Sequence, residues 1–96
     1  MTYRTTTEAD RELIEIYVFG AERFGVQQSE QYLEGLFQTF DLLAENPYLA
    51  RERRELNPPI RLHPYGAHRI LYMTTGDDIM IVRVLHGRQD WQTLFS

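Results

Sequence analysis

The 96-residue chain contains no cysteine and no lysine. Without cysteine there is no disulfide framework and no zinc–thiolate site, a composition that fits the reducing cytoplasm where we expect the protein to act. Without lysine, all ten basic side chains are arginine, the residue that grips carboxylate or phosphate bidentately and stacks on rings. Genomic base composition produces the same bias. Long apolar runs are also missing. No segment approaches the ~20 apolar residues of a membrane span, and Met1-Thr2-Tyr3-Arg4 does not read as the start of a signal peptide. A net charge of −4 argues against a uniformly basic nucleic-acid binder, so no direct nucleic-acid binding by the chain alone is expected.

What is present suffices for one domain over residues 1–96. A hydrophobic content of 43% is enough to fold rather than stay disordered. The charge is uneven. Residues 1–46 carry nine acids against three arginines, and residues 47–96 carry five acids against seven. The first half reads as a solvated acidic scaffold, and the second as the surface that attracts anions.

Residues 2–6 are β-prone. Thr7, with Asp10 three residues on, has the pattern of a helix N-cap. Ala9, Leu13, Ile16, Tyr17, Gly20, Ala21 and Phe24 then recur at helical spacing, and Gly25 supplies the stop. A second helix runs from about Gln27 to Glu45 on the stripe Leu33, Leu36, Phe37, Phe40, Leu43 and Ala44, and Asn46-Pro47 ends it. The link between the helices is short enough to force an antiparallel pair. The mixed-charge run Arg51–Glu55 reads as a solvated loop. Ile60–Tyr65 alternates apolar and polar as a half-buried strand does, and His68–Met73 is the next strand. Gly76-Asp77 turns into Ile79–Leu85, which is too apolar for a strand with one wet face and reads as central. The expected fold is α+β, ordered β-α-α-β-β-β, with a helical hairpin on one face of a small, mainly antiparallel sheet. The other face must be filled by loops, the tail or a partner.

Three groups of side chains invite chemistry. His63, His68 and His86 lie on three adjacent strands, but no carboxylate stands at ligand spacing beside them, and neither a metal nor a cofactor is expected. Arg61, Arg69, Arg83 and Arg88 form a basic strip if Arg69 and Arg83 share the uncovered sheet face. The alternative is that each pairs with an acid inside the chain, above all Arg83, whose charge in an apolar strand needs a partner. His86-Gly87-Arg88 places an imidazole beside a guanidinium, a pairing suited to acid–base work on a phosphodiester. The plainer reading is a strand terminus with His86 bonded to backbone. In the tail, Arg88, Asp90 and Trp91 bring a cation, an anion and a large ring together, as contact surfaces do. Trp91 can equally act as a lid on the open sheet edge.

The order of motifs resembles the ParE branch of the RelE/ParE superfamily of bacterial toxins. The matching stretches are Thr7-Glu8-Ala9-Asp10, Phe24-Gly25, Asn46-Pro47, Arg61–Tyr72 and Val82–Trp91, the last ending Val-Leu-His-Gly-Arg-Gln-Asp-Trp. The resemblance implies a toxin that inhibits DNA gyrase, stabilises cleaved DNA and halts replication. It implies a ParD-like antitoxin that wraps the helical hairpin and the open sheet face, with Arg61, Arg69 and Arg83 meeting it and Arg88, Asp90 and Trp91 meeting the target. The gyrase-directed reading assigns no catalytic residue. A resemblance to the sister RelE-like branch, whose members cleave mRNA on the ribosome, implies instead a ribosome-dependent endoribonuclease with catalysis by His86, Arg69, Arg83 and Arg88. Members of that branch are strongly basic and rich in lysine, which this acidic, lysine-free chain is not. A third reading is a member of the family that binds antitoxin but has lost toxicity.

Overall fold

The computed structural model describes residues 2–94. Strand β1 (Tyr3–Thr5) leads into helix α1 (Thr7–Phe24), and helix α2 (Val26–Glu45) follows. Then come a two-residue strand β2 (Glu52–Arg53), strands β3 (Ile60–Tyr65), β4 (His68–Thr75) and β5 (Asp78–His86), and a 3-10 turn over Trp91–Leu94. The strands form one sheet in the order β1-β5-β4-β3-β2. β1 runs parallel to β5, and the other pairs are antiparallel. The hairpin-on-sheet architecture is the one expected, with five described strands instead of four. The added strand is part of the presumed solvated loop: Glu52 and Arg53 pair with Arg61 and Ile60.

Local chemistry sets each boundary. The cap of α1 is Thr6, one residue before the Thr7 expected. Its hydroxyl oxygen accepts from the Ala9 amide at 3.0 Å and donates to the Val82 carbonyl at 2.6 Å. One side chain thus ends the β1–β5 ladder and starts the helix, which Thr7 cannot do from inside it. Gly25 joins the helices at a φ of 95°, a conformation that side chains with a Cβ disfavour. Ser29 is the buried polar residue of the hairpin, and its hydroxyl donates to the Tyr17 carbonyl at 2.8 Å. A Cβ at Gly20 would stand 2.7 Å from that hydroxyl oxygen, so the close crossing of the helices depends on glycine there.

Two apolar clusters hold the layers together. Ala9, Leu13, Leu33, Leu36, Phe40 and Leu43 from the helices pack on Ile70, Tyr72, Ile79, Ile81 and Val84 of the sheet. On the other face, Leu56 packs with Ile60, Leu71 and Leu85, and Leu62, Met73, Val82 and Trp91 lie partly buried against them. The second face is therefore partly covered by the chain itself, through Leu56 and Trp91. Trp91 lies on this face, with the Arg53 guanidinium 5.4 Å from its ring centroid. Phe37, expected in the core, is 42% exposed on the outside of the hairpin.

Candidate functional site

The site is built on the end of β5 that β1 leaves unpaired. β1 stops opposite Ile81. Beyond it, the pairing with β4 steps from Tyr72↔Ile81 to Leu71↔Arg83, so Val82 is the extra residue of a bulge. A bulge turns side chains away from strict alternation, and here Arg83 reaches helix α1. Its Nε and Nη2 donate to Glu12 Oε2 at 2.8 and 2.6 Å, while Glu12 Oε1 accepts from the Val84 amide at 2.9 Å. One carboxylate satisfies both the half-buried cation and the strand edge. The hydrogen bonds that Arg83 donates to Glu12 hold its pKa above the ordinary value, against the opposing effect of burial. Arg83 therefore does not share the second sheet face with Arg69. It takes the internal partner that an apolar strand demands.

Beside this pair, Tyr32 of α2 meets the ends of β3 and β4 and the turn between them. Its hydroxyl oxygen lies 2.7 Å from His68 Nδ1, accepts from the Ala67 amide at 3.2 Å, and lies 3.3 Å from the Tyr65 carbonyl. The hydroxyl has one proton: it goes to the Tyr65 carbonyl when His68 Nδ1 carries a hydrogen, and to His68 Nδ1 when it does not. The His68 and His86 rings stand edge to face with centroids 5.6 Å apart. Burial, with His86 as a second cause, lowers the His68 pKa. His86 ends β5, and its Nδ1 accepts from the Arg88 amide at 3.1 Å.

These groups line a cleft of about 760 Å³ between α1, the start of α2 and the edge of β5. Its charged lining is Glu8, Glu12, Glu15, Arg11 and Arg83, and its aromatic wall includes Phe19 and Phe24, both exposed. Among the described residues, no group of three or more His, Asp or Glu side chains is placed to hold a metal ion. No described helix is long and apolar enough to cross a membrane.

The other residues singled out by sequence are dispersed. Arg61 is on the helix side of the sheet, opposite Tyr72. Its Nη1 donates to the Ala50 carbonyl at 2.7 Å and its guanidinium stacks on Tyr48, while Nε is buried without a hydrogen-bond partner. With Tyr72, whose hydroxyl donates to the Pro47 carbonyl at 3.0 Å, it pins the segment after α2. Arg69 alternates with Leu71 and Met73, which places it on the second face, and its Nη1 donates to the His68 carbonyl. Arg88 and Asp90 are exposed, and Trp91 is half-buried. His63 stays apart from the His68–His86 pair.

Sequence reasoning missed Glu12 and Tyr32. Arg83 required a carboxylate, but Glu8, Glu12 and Glu15 are all spaced to face the sheet edge. A tyrosine in a core stripe needs a polar partner for its hydroxyl, and that signal was available for Tyr32.

Residues 3–91 match the family described as the ParE toxin of the type II toxin–antitoxin system parDE. Toxin ParE1 of Mycobacterium tuberculosis strain H37Rv is 39% identical over 89 residues, spanning 92% of this chain and 91% of the relative. Toxin ParE1 of Caulobacter vibrioides is 31% identical over 84 residues, spanning 88% and 86%. The fold is similar to a solved chromosomal ParDE toxin–antitoxin system from P. aeruginosa, with a TM-score of 0.75 at 17% identity, covering 90% of this chain and 95% of that one. The chain belongs to the ParE toxin family of type II toxin–antitoxin systems.

Proposed function

We propose that this toxin acts on DNA gyrase as a protein inhibitor, and that a ParD-like antitoxin holds it in check. The observation that carries the choice of target is the charge of the cleft. Three glutamates face two arginines, and one of those arginines is already neutralised by Glu12. An enzyme that cuts ribosome-bound mRNA must attract phosphates, and this lining does the opposite. A protein target makes no such demand. The exposed Arg88 and Asp90, with the half-buried Trp91 beside them, are the proposed contact with gyrase.

The second sheet face suits an antitoxin segment. Leu62, Met73 and Val82 leave partly covered apolar surface there, and Arg69 on the same face offers a cation to an acidic side chain. Of the three arginines proposed to meet the antitoxin, Arg69 is the best placed. Arg83 is neutralised by Glu12 and Arg61 lies on the helix side of the sheet, and they contribute by holding the surfaces on which the antitoxin lies.

One observation favours the ribonuclease reading: Tyr32, His68 and His86 gather three proton-transferring groups in one cleft. The readings separate on His86→Gln. A general acid or base is worth ~10²–10⁴ in rate. The inhibitor reading expects growth inhibition by His86→Gln to stay close to that of the unmodified chain. A loss of that size in ribosome-dependent mRNA cleavage, with the fold intact, would favour the nuclease.

A further inference from the structure

The outer side of the helical hairpin carries a second, shallow groove. Leu13, Ile14 and Tyr17 of α1 and Leu33 and Phe37 of α2 form its floor, and Glu30 and Glu34 stand at its rim. Ile14 is 64% exposed, and Val18, one turn on, is 48% exposed. A run of apolar side chains at i, i+3 and i+4 on the wet side of a helix is the reverse of what folding alone selects.

The charge around this groove has one sign. Helix α2 carries Glu30, Glu34, Asp41 and Glu45 and no basic residue at all. Helical spacing sets Asp41 on the groove side of α2, one turn past Phe37, and Asp10 on the groove side of α1, one turn before Leu13 and Ile14. The two arginines of α1 are elsewhere: Arg11 lines the cleft on the opposite side, and Arg23 lies over the Phe19 ring at 5.2 Å. An apolar floor bounded by carboxylates repels nucleic acid. It also repels a second copy of this chain presenting the same face.

We infer that this groove docks an amphipathic partner helix whose apolar ridge is flanked by arginine or lysine. The floor supplies the area, and the rim sets the register and rejects helices with acidic flanks. The inference rests on the reading that a partner segment covers the hairpin, and it adds the chemistry of that segment. It assigns the hairpin a ligand of opposite charge to the one that Arg69 invites on the sheet face, so a single antitoxin that spans both must carry both signs, in separate stretches.

The test uses the whole chain and two synthetic helical peptides of about 18 residues, the span of the hairpin. Both carry the same apolar residues at i, i+3, i+4 and i+7. One has arginines on its flanks and the other has glutamates. The arginine-flanked peptide is expected to bind about tenfold tighter, a preference that shrinks as salt is added. In Glu30→Lys/Glu34→Lys the order inverts, and Ile14→Ser/Phe37→Ser weakens both peptides. All four substituted side chains lie on the outside of the hairpin, and circular dichroism checks that each variant is folded. Equal affinity for the two peptides, binding of neither, or self-association of the unmodified chain through this face would each overturn the inference. Retention of a ParD-like antitoxin by Glu30→Lys/Glu34→Lys, alongside equal peptide affinities, would sink the charge rule and leave the antitoxin reading standing. Failure of any antitoxin to bind the unmodified chain would sink that reading instead.

Discussion

The Glu12 carboxylate accepts from the Arg83 guanidinium on one oxygen and from the Val84 amide on the other. Both ends of the pair are largely shielded, with side-chain exposures of 25% for Arg83 and 14% for Glu12. Glu12→Ala leaves a shielded cation and a strand amide without a partner, and we expect a loss of about 2–4 kcal/mol in chemical denaturation, discounted for the exposure that remains. Glu12→Gln keeps an acceptor for Val84 and should lose less. A second expectation follows from His68 and His63, whose pKa values burial lowers from the ordinary 6.5. In both cases the unfolded chain takes up its proton at higher pH than the folded one. Their contribution to stability is complete above the ordinary value and is lost as pH falls through the lower folded values. Thermal midpoints should therefore drop on acidification from pH 7 into this window, and His68→Gln should flatten part of the decline. A flat profile in the unmodified chain would contradict the buried environment of these rings.

The long elements were legible in the sequence, and most of what was lost concerns how elements meet. The two helices and the three long strands stood out because their apolar periods are strong, and Gly25, Asn46 and Gly76 marked their ends. β2 was not legible because two residues carry no period, and its pairing with β3 depends on the fold of the loop between them. The bulge at Val82 was also hidden. Beyond it the Arg83 guanidinium is taken up by Glu12 of α1, so the basic strip proposed for the second sheet face loses a member. Close contacts between elements can be tested directly. Gly35 of α2 lies against the Tyr65 hydroxyl, which donates to the Tyr32 carbonyl. Gly35→Ala pushes a methyl group into that hydroxyl and should cost about 1–3 kcal/mol despite the better helix propensity of alanine. The tail gives the opposite expectation. Arg88 is exposed, and Arg88→Ala should change stability by no more than ~0.5 kcal/mol while reducing growth inhibition. Removal of residues 92–96, which keeps Trp91 on its cluster, should also leave the fold intact and lower toxicity. Phe95 and Ser96, the last two residues removed, lie outside the described residues. Unfolding of the truncated chain would make the tail part of the core. Full toxicity in both variants would move the target contact to the hairpin.

At the scale of the whole molecule, the chain divides its charge between two surfaces. The hairpin is acidic outside, and the sheet side holds most of the arginines, several of them on internal partners. A molecule of this kind can bind proteins of either sign on separate faces while attracting nucleic acid weakly. It leaves Ile14, Val18, Phe19, Phe24 and Phe37 exposed on the hairpin, surface that a bound antitoxin would remove from water. Adding a ParD-like antitoxin should therefore raise the thermal midpoint in proportion to the logarithm of its free concentration above Kd, and coincident melts would contradict this. The target is tested most directly with purified components: gyrase, ATP and relaxed plasmid DNA, with and without the toxin, and in parallel ribosomes programmed with mRNA. The account predicts that the toxin stops supercoiling and traps linear DNA with gyrase, that prior addition of the antitoxin restores supercoiling, and that the ribosomal mRNA stays whole. Undiminished supercoiling at saturating toxin, with mRNA cut on the ribosome, would contradict it.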